Sequence, residues 1–363
     1  MSLQSNDALD LAALRELLSR AHSQGASDLH LAADQAVFLR VDGVLRRIES
    51  ERFSPRALEY LAQTLLHPGA WRRLSERGEG DAAFRDDIVG TMRVHAFRAN
   101  GNIRLSLRLL SASIPTVEAL HLPRSLCGLL DRSSGLILFV GPTGSGKSTT
   151  LAALIDHVNR TRDRHIITIE DPVEYLHQPL RSSIAHCEIG RDTFDYADAV
   201  RSSLRADPDI ILIGELRSSE TMSAALTAAE TGHLVLSTLH TSDAAQTFDR
   251  IVNAHSQGSQ SEVRSQLAQS LIAVVAQRLV PLASGRGRRA AFEILIATEG
   301  VRAMIRDGKT HQVRNAILTG RSTGMQTLEA HLSDMLVHGT VTLEAARAAT
   351  DRPDEIRILT GVR

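Results

Sequence analysis

The sequence predicts an α/β chain in which a body built on a parallel sheet follows a smaller α+β domain. Short apolar, β-rich runs at 136–140, 166–169, 210–213 and 234–236 alternate with helical patterns. Strands apolar at every position are buried on both faces, which is the environment of a parallel sheet covered by helices. The first 110 residues instead alternate apolar and polar positions, as an antiparallel sheet requires. At 363 residues the chain also exceeds the usual single-domain size, so two domains of unequal length are expected.

In the first part, residues 1–110, Leu11, Leu14, Leu17, Leu18 and Ala21 recur at helical spacing and are followed by Gly25. Strands are expected at 28–31 and 37–41, and Asp42-Gly43 before Val44-Leu45 signals a tight hairpin. Two more are expected at 91–98 and 103–109, on either side of Asn100-Gly101-Asn102. Residues 111–134 carry Pro115 and Pro123 without a sustained period and read as a linker. The α/β body occupies 135–363. After about Ser259 its pattern is mostly helical, with one strand-like run at 290–296.

Composition narrows the function classes. With 43% hydrophobic and 23% charged residues the chain is an ordinary globular protein, and no segment approaches the ~20 apolar residues that span a bilayer. The start, MSLQSNDALD, has neither a basic region nor an apolar core, which points to the cytoplasm. A formal charge of −1 gives no general attraction to nucleic acid or anionic lipid. Cys127 and Cys187 form no CxxC pair and are expected to be small buried side chains. The basic run Arg286-Gly287-Arg288-Arg289 reads as a solvated turn.

Chemistry enters at Gly141-Pro142-Thr143-Gly144-Ser145-Gly146-Lys147-Ser148, a full match to the phosphate-loop pattern GxxxxGK[ST] between an apolar strand and a helical segment beginning with Thr149. Glycines let backbone N–H groups converge on phosphate oxygens, the helix amino end adds partial positive charge, and Lys147 neutralises the terminal phosphates. A nucleoside triphosphate is the expected ligand, with Ser148 on Mg²⁺. Hydrolysis also needs a carboxylate to orient water. Glu215 is expected to be that base, because the strand at 210–213 delivers it at its carboxyl end, where ligands of parallel sheets gather. The strand at 166–169 similarly ends in Glu170-Asp171-Pro172-Val173-Glu174, where Pro172 forces the chain out of the sheet. His233 and His240 bracket the last strand of the set; read alone, each is more often a packed core histidine than a catalytic one.

Four segments in order, GPTGSGKSTT at 141–150, ITIEDPVEYLH at 167–177, DPDIILIGELR at 207–217 and TGHLVLSTLHT at 231–241, resemble the secretion ATPase superfamily of type II secretion and type IV pili, and within it the PilT-like pilus-retraction branch. They correspond to its Walker A, Asp box, Walker B and His box. DLHL at 28–31, RVDGVL at 40–45 and MRVHAF at 92–97 look like its PAS-like amino-terminal domain, so the similarity covers nearly the whole chain. The resemblance implies a RecA-like P-loop NTPase core, a PAS-like domain and a helical carboxyl-terminal region. It implies that Glu170 and Glu174 organise Mg²⁺ and water, with Glu174 on the metal, that Glu215 is the catalytic glutamate and that His233 and His240 sense the nucleotide. Arg93 and Arg108, and after them Arg98 and Arg104, are the arginines expected to reach phosphates, a task suited to a permanently charged fork.

Residues 300–312, GVRAMIRDGKTHQ, look like the retraction motif and its sequel. Val301, Met304 and Ile305 should face inward there while Arg302 and Arg306 point outward. The implied protein is a homohexameric ATP-hydrolysing motor with each ATP between a subunit's two domains. It would be cytoplasmic, peripheral at the inner membrane only through its partner, a pilus platform protein, with no direct nucleic-acid contact. The chain departs from the family pattern at Ser218, where an aspartate is usual, at His95, at Gly300, Val301, Ala303, Met304 and Asp307, and in 32–36. Ser218 favours an ATP-binding accessory paralogue with little hydrolysis as one rival; a nucleic-acid motor on the same core is another, weakened by the 3% aromatic content.

Overall fold

The computed structural model describes residues 3–356 apart from 42, 50, 88, 111 and 112. Asp42 of the expected hairpin and the first two linker residues therefore lie outside the described residues. The chain divides into two compact units: Met1–Ile114 with Glu170–Leu176 and His186–Asp195, and Pro115–Ile169 with His177–Ala185 and Tyr196–Arg363. Among the described residues no helix is long and apolar enough to cross a membrane.

The first unit is built on β1 (Ala26–Ala32), β2 (Val37–Val41), β3 (Val44–Ile48), β4 (Glu79–Asp86), β5 (Gly90–Ala99) and β6 (Asn102–Leu109), in the spatial order β3-β2-β1-β6-β5-β4. All neighbours are antiparallel. Alternation sends Leu29, Leu31, Met92, Val94, Leu105 and Leu107 into a core shared with helices Leu3–Ser23, Pro55–Leu65 and Pro68–Arg77. The last two helices begin at prolines, whose missing N–H costs nothing there; Ser54 and His67 cap them, accepting from Ala57 and Ala70 N–H. The opposite sheet face is polar. Arg93, Arg108, Asp28 and Arg40 form one cross-strand row, and Asp81, His95, Ser106 and His30 another.

The second sheet contains β7 (Gly135–Val140), β8 (His165–Glu170), β9 (Ser183–Glu188), β10 (Ile210–Ile213), β11 (Leu234–Leu239), β12 (Leu271–Pro281) and β13 (Arg288–Ile296). Its order is β13-β12-β7-β11-β10-β8-β9. From β12 to β8 every neighbouring pair is parallel, and β13 turns back, antiparallel to β12. Every residue of β7, β10 and β11 is buried, as their continuous apolar runs predict. Asp209 fixes the start of β8 and β10 together, its carboxylate accepting from His165 N–H at 2.8 Å and Arg164 at 2.9 Å. Asn159, fully buried, ties down the following loop by donating to the Gln178 carbonyl and accepting from Leu180 N–H.

The structure corrects three expectations. The mostly helical reading after Ser259 misses β12, whose run Leu271-Ile272-Ala273-Val274-Val275-Ala276 is apolar throughout and has no periodicity to separate a buried strand from a buried helix. Pairing with the open edge of β7 decides it. Arg302 in the helix Glu299–Arg306 does not point freely outward: its guanidinium donates to the Ala268 and Gln269 carbonyls at the end of the helix Gln260–Ser270, while Val301 and Ile305 pack inward as expected. Cys127 and Cys187 are half-buried rather than buried. Downstream, helices Val313–Thr319, Leu328–Val337 and Leu343–Ala348 complete the chain, and the last two help build a separate small core with Val280 and Ala291.

Candidate functional site

The phosphate loop leaves β7 at Gly141 and enters the helix Lys147–Thr161. Gly141 has φ +145°, and a Cβ there would lie 2.4 Å from the Gln277 carbonyl oxygen, so no other residue fits. Gln277, on β12 and 1% exposed, donates from Nε2 to the Ser145 carbonyl at 2.7 Å and braces the loop from beneath. Nothing in the sequence pointed to it, because 132 residues separate the partners. Lys147 Nζ donates to the Gly141 and Pro142 carbonyls at 2.7 and 3.0 Å. Burial lowers the pKa of this ammonium and the charge of Glu215 opposes that shift, so the two groups sense one another. A cavity of about 290 Å³ adjoins the loop, with His121, Leu122, Thr149, Gln277, Leu282 and Arg289 in its walls.

Glu215 follows β10, and His240 follows β11. These strands are parallel neighbours in register Ile213 to Ser237, so both side chains emerge at one sheet edge. Three hydrogen bonds lock the strand ends together: Ser237 Oγ to the Ile213 carbonyl, Thr238 Oγ1 to the Gly214 carbonyl, and Leu216 N–H to the Thr238 carbonyl. The Glu215 carboxylate, 13% exposed, meets Arg217 Nε at 2.6 Å through one oxygen and His240 Nε2 at 3.3 Å through the other. Lys147, Glu215 and His240 are thus brought together within the second unit.

His233 is not brought to them. It precedes β11, seven residues from His240, a separation of ~23 Å along an extended strand. Its Nδ1 lies 3.1 Å from the Ala228 carbonyl near the end of the helix Ser219–Glu230, and its own carbonyl accepts from Gly135 N–H. Within the chain it closes a helix at the sheet's far edge.

The other expected residues belong to the first unit. Glu170 ends β8, and its carbonyl accepts from Ile189 N–H at 2.9 Å; Glu174 is half-buried in the segment Glu170–Leu176. Arg93 and Arg108 stand directly opposite one another on β5 and β6. Each is paired with a carboxylate, Arg93 with Asp81 at 3.3 Å and Arg108 with Asp28 at 2.9 Å, and both remain substantially exposed. Asp81 also binds His95, which stacks on Phe97.

Glu293 is a buried carboxylate that sequence reading missed. It is 7% exposed on β13, and its carboxylate accepts from Ala244 N–H at the start of the helix Ala244–Asn253, which follows the His240 turn. Burial, joined by the charges of Asp243 and Glu329, pushes its pKa up to about 7, against the Ala244 hydrogen bond and Arg314.

The oxygen donors fit Mg²⁺. Among the described residues no group of three or more His, Cys, Asp or Glu side chains forms a metal cage. Mg²⁺ characteristically uses one or two protein oxygens together with phosphates and water, which a Ser148 hydroxyl exposed on the first turn of the phosphate-loop helix can supply.

Residues 4–353 match the family described as type II/IV secretion system protein. The chain belongs to this family. It is 42% identical over 341 residues to the type IV pilus retractation ATPase PilT of Pseudomonas aeruginosa, covering 94% of this chain and 99% of that one. It is 41% identical over 309 residues to a twitching motility protein of Neisseria gonorrhoeae, covering 85% and 83%. A crystal structure of the pilus retraction motor PilT with bound ADP superposes with a TM-score of 0.84 at 40% identity, covering 94% of this chain and 97% of that one. The α/β fold is that of this secretion family, a RecA-like core with amino- and carboxyl-terminal additions.

In this family member Ser218 has a definite place. Its Oγ accepts from Thr221 N–H at 3.3 Å and pairs with Thr221 Oγ1, capping the helix Ser219–Glu230. Serine and aspartate are comparable amino-terminal caps, so the departure from the usual aspartate preserves the helix start.

The Glu293 carboxyl makes a pH-dependent contribution to stability. Its folded pKa is raised from 4.5, so the contribution is present below about pH 4.5 and lost as the pH rises through about 7. Between pH 5 and 8, Glu293→Gln should therefore gain up to about 3 kcal/mol relative to the unsubstituted protein in denaturant unfolding. Unfolding free energies that stay parallel across this range would show that Glu293 ionises freely.

Proposed function

We propose that the chain is an ATP-hydrolysing motor for type IV pilus retraction, working as a homohexamer in the cytoplasm and reaching the inner membrane through a pilus platform protein. The observation that carries this reading is the junction of a complete phosphate loop with Glu215 and His240 at one sheet edge, in a chain so similar to proteins named for pilus retraction. No direct contact with nucleic acid is part of it.

Each residue has a chemical task in this reading. Backbone N–H groups of Gly141, Pro142's successor Thr143, Gly144, Ser145, Gly146, Lys147, Ser148 and Thr149, at a helix amino end, receive the phosphates, and Lys147 exchanges its carbonyl partners for phosphate oxygens. The cavity beside Thr149 has room for the nucleoside. Ser148 and Glu174 are the residues that would hold Mg²⁺, which would supply Lewis acidity toward the phosphate oxygens. Glu215 orients a water and accepts its proton as the water oxygen bonds to the γ-phosphorus and the bond to the β-phosphate oxygen breaks, giving ADP and phosphate. His240, already beside Glu215, is placed to register that change of charge. Glu170 helps to order water and metal, and Arg93 and Arg108 exchange carboxylates for phosphate. His233, at the other end of β11, stands apart from this cluster within the chain. Ser218, the residue on which the accessory-paralogue reading rests, caps a helix as an aspartate would.

Deleting the gene should give hyperpiliated cells that do not twitch; the unsubstituted protein should restore twitching and Lys147→Ala should not. Bald cells would instead assign the motor to extension, and unchanged piliation would remove it from pilus dynamics. With Mg²⁺ and a non-hydrolysable ATP analogue, light scattering at micromolar protein should give the mass of six chains of 39.5 kDa. A monomer under those conditions would refute the ring.

A further inference from the structure

Glu188, the last residue of β9, is 1% exposed and takes no part in the site described above. Its carboxylate stands where three segments of the first unit meet. One oxygen accepts from Val173 N–H at 3.3 Å, and the carboxylate also accepts from Ala83 N–H on β4. His67 Nε2 lies 3.7 Å away and Arg191 Nη1 3.8 Å away. The mount beneath it is stiff. Asp192 accepts from Glu188 N–H at 2.9 Å and returns its own N–H to the Glu188 carbonyl at 2.9 Å. The Gly190 carbonyl lies so close to Gly69 that a Cβ there would be 2.1 Å away.

This mount grips the acidic segment at two points. Ile189 N–H holds the Glu170 carbonyl, and the Glu188 carboxylate holds Val173 N–H, immediately before Glu174. Burying a carboxylate at such a position is costly, and a leucine would fill the volume without that cost. What leucine lacks is an acceptor for the two backbone N–H groups. We propose that Glu188 is a positioning residue that sets the Glu170 and Glu174 carboxylates for Mg²⁺ by fixing the backbone between them at Val173. The inference rests on the assignment of Glu174 to the metal. Groups that orient metal ligands from outside the coordination sphere typically contribute 10–100-fold to metal affinity.

The test is equilibrium binding of a fluorescent non-hydrolysable ATP analogue to the full chain, with and without Mg²⁺, for the unsubstituted protein, Glu188→Gln, Glu188→Leu and Glu174→Gln. Metal-free nucleotide binding should be the same in the unsubstituted protein and both Glu188 variants. The Mg²⁺ concentration that half-maximally tightens binding should rise at least about tenfold in Glu188→Leu and Glu174→Gln. Glu188→Gln keeps one acceptor and should shift it by a smaller factor. If Leu does not fold, Glu188→Met, close in length and without an acceptor oxygen, takes its place. Glu188 variants that match the unsubstituted protein while Glu174→Gln is shifted would overturn the positioning role and leave the metal assignment standing. An unshifted Glu174→Gln would overturn that assignment and the inference with it.

Discussion

Between the Gly141 backbone and the Gln277 carbonyl there is room for a hydrogen and nothing larger. That approach sets where the phosphate loop can lie, because β12 carries Gln277 and pairs in parallel with β7, the strand the loop leaves. Gln277 then holds the Ser145 carbonyl through its amide, so the loop is fixed from below by the chain itself. Lys147 points back over the same turn. On the other side of β7, β11 and β10 place His240 and Glu215 at the same edge. Strand order thus turns residues far apart in sequence into one site, and the polar bonds from Ser237 and Thr238 keep the two strand ends from sliding.

How much of this was legible depended on whether the signal was local. β10 has the bounds its four-residue apolar run predicts, and the P-loop pattern with its flanking strand and helix is complete within a short stretch. β12 was misread because an unbroken apolar run carries no period, and only the open edge of β7 selects the strand. Gln277, Glu188 and Glu293 gave no sequence signal at all: each acts on a backbone group distant in the chain, and a polar residue within an apolar strand looks like any other alternation. Buried carboxylates and amides are visible only when their donors are.

Local chemistry gives several of these side chains a structural place that their sequence position does not announce. Ser218 and aspartate both offer an oxygen to the first turn of a helix, so one replaces the other. Arg302, expected to present charge to solvent, instead satisfies carbonyls at a helix end, where a cation is stabilised by the helix dipole. His233 and His240 look equivalent on either side of β11, but the direction of a parallel strand makes only the second a neighbour of Glu215. Sequence symmetry about a strand is broken by the polarity of the sheet.

The central claim is that the phosphate loop and Glu215 form one hydrolytic site in which binding and cleavage are separable. The most direct measurement is to mix the chain with Mg²⁺ and labelled ATP for a single turnover, isolate the protein and identify the bound nucleotide. ADP should be found on the unsubstituted chain, retained ATP on Glu215→Gln and almost no nucleotide on Lys147→Ala. ADP accumulating on Glu215→Gln as fast as on the unsubstituted chain would contradict it.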